Sequence, residues 1–199
     1  ASGIHSKEIA VEAGYAYEVI KNFSVSATFK YLFSDMGRIG NSRGASSVAF
    51  DLGVLYKCGI NDWEGAGWSV GLHVSNLGPK INYLTSKDAL PATVKVGGAA
   101  DLPFLQMHKL TLTADLGYRL SPADVQALSV SAGAEYAWRE LVMLRGGYHC
   151  GDKKKGDASY ATAGAGVEYA GVRLDFAWLF AGHEYLARNT FWVSLGYSF

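Results

Sequence analysis

The sequence contains no run of about 18 or more consecutive apolar residues, so it offers no membrane-spanning helix. Neither sign of charge prevails: 18 Lys and Arg balance 18 Asp and Glu, which removes the electrostatic case for a nucleic-acid partner. Proline is scarce at 4 in 199 residues, and the only cysteines, Cys58 and Cys150, follow no metal or redox spacing. The two are expected at opposite ends of their strands, too far apart to bond. No signal peptide and no initiator Met open the chain, so a mature or truncated form is expected. His5, His73, His108, His149 and His183 are scattered without metal-ligand spacing. No catalytic constellation emerges, and the expectation is a non-enzymatic protein without metal or cofactor. A wall position is expected for His73 and His149.

What the chain does have is glycine and aromatics: 24 Gly, 12 Tyr, 9 Phe and 5 Trp. They are arranged with period two along nearly the whole length. In 22–35, Phe23, Val25, Ala27, Phe29, Tyr31 and Phe33 oppose Ser24, Ser26, Thr28 and Lys30. In 172–180, Val172, Leu174, Phe176, Trp178 and Phe180 oppose Arg173 and Asp175. The same alternation marks 7–20, 46–58, 67–75, 93–101, 108–120, 127–138, 141–150, 160–169 and 190–199. That makes about eleven strands, most near the length a tilted strand needs to cross a bilayer.

A soluble sandwich also alternates, but here the non-aromatic face is Gly, Ser, Thr and charge, and glycine packs few side chains into a core. In a membrane barrel that face lines the lumen, and the aromatic face meets lipid. Tyr17, Tyr31, Tyr56, Trp68, Tyr118, Trp138, Tyr148 and Tyr169 fall at strand ends, as interfacial girdles require. The predicted fold is therefore all-β, an antiparallel transmembrane β-barrel occupying 1–199 as one domain. On this reading Phe29 faces lipid and Lys30 faces a wet lumen in which water can replace it. The wall charges Glu12, Lys30, Asp51, Lys95, Asp115, Arg119, Glu135, Arg145, Glu168, Arg173 and Asp175 are mixed in sign. Mixed sign favours an ion-pair network that stiffens the wall over a selective pathway.

The connections alternate short (21–22, 59–66, 102–107, 139–140, 170–171) and long (36–45, 76–92, 121–126, 151–159, 181–189). Outer-membrane barrels have short periplasmic turns and long external loops. The Tyr197-Ser198-Phe199 ending resembles the C-terminal signal of such barrels, which places Phe199 at the periplasmic side and the long set outside. Counting back, the first strand runs inward, so an odd number of strands is expected before Ala1. Loop 76–92 is the longest and the leading partner-binding candidate. Asn76, Leu77, Pro79, Lys80, Ile81, Tyr83, Leu84 and Lys87 combine turn chemistry, apolar anchors and charge. A loop folded back onto the rim is the competing reading. Loop 151–159, with Lys153, Lys154 and Lys155, is expected to be a solvated, flexible tip, its lysines being an alternative contact for lipopolysaccharide phosphates or acidic cargo.

Several segments carry a likeness in order and spacing. They are Val74-Ser75-Asn76-Leu77-Gly78-Pro79-Lys80-Ile81, Leu90-Pro91-Ala92, Leu144-Arg145-Gly146-Gly147-Tyr148, Ala163-Gly164-Ala165-Gly166-Val167, Leu174-Asp175-Phe176-Ala177-Trp178 and Leu186-Ala187-Arg188-Asn189-Thr190. Together they resemble the PorV (LptO) family of Bacteroidota outer-membrane proteins, most strongly over 68–199 and more weakly over 1–60. The resemblance implies a fourteen-stranded FadL-like barrel of which this is the C-terminal part, its N-terminal strands and any lumen plug being absent. It implies a type IX secretion component in a Gram-negative outer membrane. Its implied partners are the translocon barrel, cargo C-terminal signal domains, a PorU-type sortase attachment complex, and outer-membrane lipid and lipopolysaccharide. The alternatives are a FadL-like transporter of hydrophobic small molecules and a lipopolysaccharide-modifying barrel enzyme, a deacylase. The enzyme requires Ser and His within hydrogen-bond reach at the outer rim.

Overall fold

The period-two pattern is realised as strands almost residue for residue. The structure, a computed structural model, describes residues 7–35, 44–82, 87–182 and 190–198. In chain order the strands are β1 (Lys7–Ile20), β2 (Phe23–Asp35), β3 (Ala45–Gly59), β4 (Gly67–Leu77), β5 (Ile81–Asn82), β6 (Lys87–Asp88), β7 (Thr93–Phe104), β8 (His108–Arg119), β9 (Leu128–Trp138), β10 (Val142–Cys150), β11 (Tyr160–Tyr169), β12 (Val172–Ala181) and β13 (Phe191–Tyr197). Eleven of them form one antiparallel sheet in the order β1-β2-β3-β4-β7-β8-β9-β10-β11-β12-β13. The other two, β5 and β6, pair only with each other inside the longest loop, Ile81 opposite Asp88 and Asn82 opposite Lys87. That ribbon was not anticipated, because two residues per strand are too few to show a period. β7 runs on to Phe104, past the expected end at 101, since Leu102 and Phe104 continue the alternation around Pro103.

Tight turns join the strands through backbone that few residues accept. Asn22 (φ 72°), Leu105 (49°), Gln106 (59°), Arg139 (53°), Glu140 (57°) and Ala170 (50°) are all left-handed. Hairpin turns need positive φ to match strand twist. Asn tolerates it, whereas the other five each cost on the order of 1 kcal/mol. Hence these turns carry no Asn-Gly or Asp-Gly signature in the sequence.

Two compact units are recognised. The first comprises Ala1–Tyr56, Gly71–Lys95 and Tyr118–Gln126, and the second Lys57–Val70, Val96–Gly117 and Ala127–Phe199. In the first unit, β3 shelters Ala45, Ser47, Ala49 and Asp51 and exposes Phe50, Leu52, Val54 and Tyr56. In the second, Ser129, Ala137, Met143 and Leu179 are sheltered, while Leu128, Val130, Leu144, Tyr148, Leu174, Phe176 and Phe180 stand exposed. This inverts a soluble sandwich, whose stability comes from removing large apolar side chains from water. The exposed face has its own order: Phe29 packs edge-on against Phe50 at 5.4 Å, and Phe176, Trp178, Phe180 and Phe191 form a run of neighbouring rings. Cys58 and Cys150 are both free thiols. Among the described residues no helix is long and apolar enough to cross a membrane, which says nothing of a strand-built span.

Candidate functional site

β4 runs on through Leu77, past the expected loop start at 76, and the side chain of its penultimate residue, Asn76, organises both stems of the longest loop. Asn76 is left-handed (φ 58°), a conformation Asn adopts more readily than most residues. Its N–H donates to Asp51 Oδ1 at 2.8 Å, its Oδ1 accepts from Lys30 Nζ at 3.3 Å, and its Nδ2 donates to the Pro91 carbonyl at 3.2 Å. Lys30 in turn pairs with Asp51 Oδ2 at 2.7 Å and lies 3.9 Å from Glu12. Beyond Asn76 the chain folds onto β3. Ser47 Oγ donates to the Pro79 carbonyl at 3.1 Å. A Cβ on Gly78 would collide with the Val48 carbonyl and come within 2.9 Å of Leu90 Cδ1, so only glycine fits. The return stem is held by Ala92, whose carbonyl accepts from the Leu120 N–H at 2.8 Å.

Of the candidate contact residues, Asn76 is half-buried and fully engaged, Leu77, Pro79 and Lys80 are exposed, and Ile81 is half-buried in β5. Lys87 lies opposite Asn82 in the ribbon. Tyr83 and Leu84 fall outside the described residues. For residues 76–79 the folded-back reading therefore describes the geometry, with Leu77, Pro79 and Lys80 exposed. Ser47, Leu90 and Pro91 were not anticipated. The signal available for them was the Asn-x-Gly-Pro run, which demands a close backbone approach at glycine.

The wall charges of the second unit form a ladder. Arg145 on β10 bonds Glu135 directly opposite on β9 and Asp175 two strands away on β12. The crossing passes over β11 where Gly164 lies opposite Arg145 and Gly166 opposite Asp175. A Cβ on Gly166 would strike Asp175 Oδ1 and approach Arg145. Glycine on this face is thus the space into which long charged side chains lie. Arg173 extends the ladder to Asp175 at 2.8 Å and Glu168 at 3.8 Å. Ion pairing of the kind expected from mixed charge is thus present among these residues, whereas Asp115 Oδ1 is buried without a hydrogen-bond partner.

A third arrangement lies at the loop end of β9 and β10. Ser131 Oγ is 3.1 Å from His149 Nδ1, and His149 Nε2 is 3.0 Å from Asp157 Oδ1. The imidazole is sheltered and stacked on Tyr160 at 4.8 Å. A tautomer protonated on Nε2 would donate to Asp157 and accept the Ser131 hydroxyl proton, the order a nucleophile relay requires. His149, expected as a wall residue, is sheltered and has two polar partners, Ser131 and Asp157. Asp157 comes from loop 151–159, which is built rather than merely solvated. Asp152 caps the Lys154 N–H at 2.9 Å, Lys153–Lys155 form one 3₁₀ turn, and Gly156 closes it at φ 76°. The Gly151 N–H donates to Ser159 Oγ at 3.2 Å.

At the turn end of β7–β9 lies a cleft of about 460 Å³, lined among others by Gly65, Pro103, Gln106, Lys109, Arg139 and Glu140. Trp63 Nε1 ties its edge to the Pro103 carbonyl at 2.8 Å, and Lys109 pairs with Asp101 at 3.1 Å.

The family model described as type IX secretion system protein PorV matches residues 3–126, more than half of the chain. The match takes in the Val74–Ile81 and Leu90–Ala92 segments and also 3–60, within the part where the likeness is weaker. The later segments, from Leu144 onward, lie outside it. No curated protein matches the chain. The chain belongs to the PorV family of type IX secretion system proteins.

Proposed function

We propose that this protein is an outer-membrane barrel component of type IX secretion that binds cargo C-terminal signal domains at the translocon. It then delivers them to a surface attachment complex containing a PorU-type sortase. Family membership over 3–126 carries this reading. The exposed aromatic face supports the membrane part, because that face is stable against hydrocarbon and costly against water. Short turns then face the periplasm, long loops face outward, and binding falls to loop 76–92, where Leu77 and Pro79 supply apolar contact beside Lys80. Among the described residues the small-residue face is polar and ion-paired, which counts against the transporter alternative. Replacing 79–88 with a short Gly/Ser linker leaves the Asn76 and Pro91 stems intact. The barrel should remain folded, co-purification with the translocon and cargo should be lost, and cargo should accumulate in the periplasm. Normal secretion by this variant would remove the loop from the mechanism.

One observation favours a second reading. Ser131, His149 and Asp157 meet the condition set for an enzyme, with Ser131 as nucleophile, His149 as base and Asp157 as orienting carboxylate. An ester of lipopolysaccharide is the substrate such a barrel would meet, and N–H donors to the developing oxyanion would also be needed. Mass spectrometry of lipid A from cells carrying Ser131→Ala separates the two. Under the secretion reading the acylation pattern and secretion are both unchanged. An added acyl chain with secretion intact would establish the enzyme.

A further inference from the structure

We infer that Lys30 and Asp51 are positioning residues for the contact loop: their ion pair clamps Asn76 and thereby presets residues 77–82 for a partner. The inference rests on the reading that loop 76–92 binds. Asp51 is sheltered on β3, and both of its oxygens are committed, one to Lys30 and one to the Asn76 N–H. Lys30 also donates to Asn76 Oδ1, so the pair grips Asn76 through backbone and side chain together. The remaining Asn76 group reaches the Pro91 carbonyl, which joins the outgoing stem to the returning one.

The rest of the segment depends on that grip. With Asn76 held left-handed, Gly78 meets the Val48 carbonyl and Pro79 meets Ser47, leaving Leu77, Pro79 and Lys80 exposed on one fixed backbone. A loop already in its bound conformation saves the ordering cost that a free loop would meet on binding. Lys30 and Asp51 touch no partner in this scheme; they act through Asn76. Direct contacts belong to the exposed side chains.

Hydrogen exchange on the full chain in detergent micelles provides the test. In Asp51→Leu, which removes both acceptors and keeps the branched side-chain skeleton, amides at 76–82 should exchange on the order of tenfold faster, with those of β9–β12 unchanged. Asp51→Asn retains an acceptor for the Asn76 N–H and should recover part of the protection. Unchanged exchange at 76–82, or equal acceleration throughout the sheet, overturns the clamp. Should Asp51→Leu fail to fold, Asn76→Ala asks the same question from the loop side and must give the same local acceleration. Secretion distinguishes the two layers. A loosened loop with slowed secretion supports both, whereas a loosened loop with normal secretion leaves the clamp standing and removes the loop from the binding reading.

Discussion

In the first unit, Lys30 and Asp51 sit on neighbouring strands, and the third member of their group, Asn76, is the penultimate residue of β4, where the longest loop begins. In the second unit, Glu135, Arg145, Asp175 and Arg173 all come from strands. Both groups occupy the small-residue face, and both place opposite charges across a hairpin: Glu12 lies opposite Lys30, and Glu135 opposite Arg145. They part at the next neighbour. Beside Arg145 the β11 face is glycine, so the guanidinium crosses to a further strand and the wall is tied to itself. Beside Asp51 the incoming backbone of Asn76 takes the second carboxylate oxygen, and the wall is tied to a loop. The same chemistry thus stiffens one region and shapes a binding segment in the other, according to what stands next to it.

The comparison breaks first at Lys30. Its side chain is 16% exposed and its partner's 9%, so removing it strands a sheltered carboxylate. Lys30→Ala should therefore cost roughly 3 kcal/mol, the low end for an unpaired buried charge. This revises the expectation that water would replace Lys30 at little cost. Phe29→Arg, on the exposed face at mid-strand, should cost a similar amount, roughly 2–4 kcal/mol in lipid. Urea unfolding in lipid vesicles compares the two directly. A neutral Lys30→Ala beside a costly Phe29→Arg would mean that the first cluster is solvated and holds no loop.

Arg145→Ala should have a smaller effect, about 1–2 kcal/mol. Arg145, Glu135 and Asp175 are a quarter to a third exposed, and the more exposed Arg173 continues to pair Asp175 when Arg145 is gone, leaving Glu135 alone without its partner. The loss should be read in amide exchange of β9–β12 and not at 76–82. Loosening of residues 76–82 by Arg145→Ala would show that the two clusters are not separate devices.

Strands and faces were legible because period two is a local property. β1 and β11 begin and end where the alternation does, and most of the large apolar residues named for the outer face are exposed, with Phe23, Val25, Phe33 and Trp178 partly so. Partners were not legible, because a partner depends on register and on what a loop does. Lys30 reads as a wall charge until Asn76 is seen returning onto it. Ser131 and His149 could have been matched, since counting outward from the tight turn at 139–141 sets them opposite one another. Asp157 could not, because its approach depends on the path of a nine-residue loop. Gly166 looked like mere smallness until the register put Asp175 opposite it and the Arg145 guanidinium was seen reaching across from beside Gly164.

The smallest expected effect concerns loop 151–159, and it tests whether loops in the second unit are also held from the wall. Gly156 is left-handed at φ 76°, and a Cβ there would meet nothing within 4 Å. Gly156→Ala therefore introduces backbone strain without a clash, worth about 1 kcal/mol. If the loop is anchored by Asp157 on His149 and by Ser159 on Gly151, that strain stays local. Trypsin should then cut more readily at Lys153–Lys155, while global unfolding shifts by no more than this amount. If the anchors contribute nothing, the native loop is already open, and Gly156→Ala leaves the cleavage rate where it was. Asp157→Asn distinguishes anchor from turn. It removes the carboxylate facing His149 but leaves the Asp152 cap and Gly156 in place, so increased cleavage in this variant as well would assign the loop's order to the wall histidine.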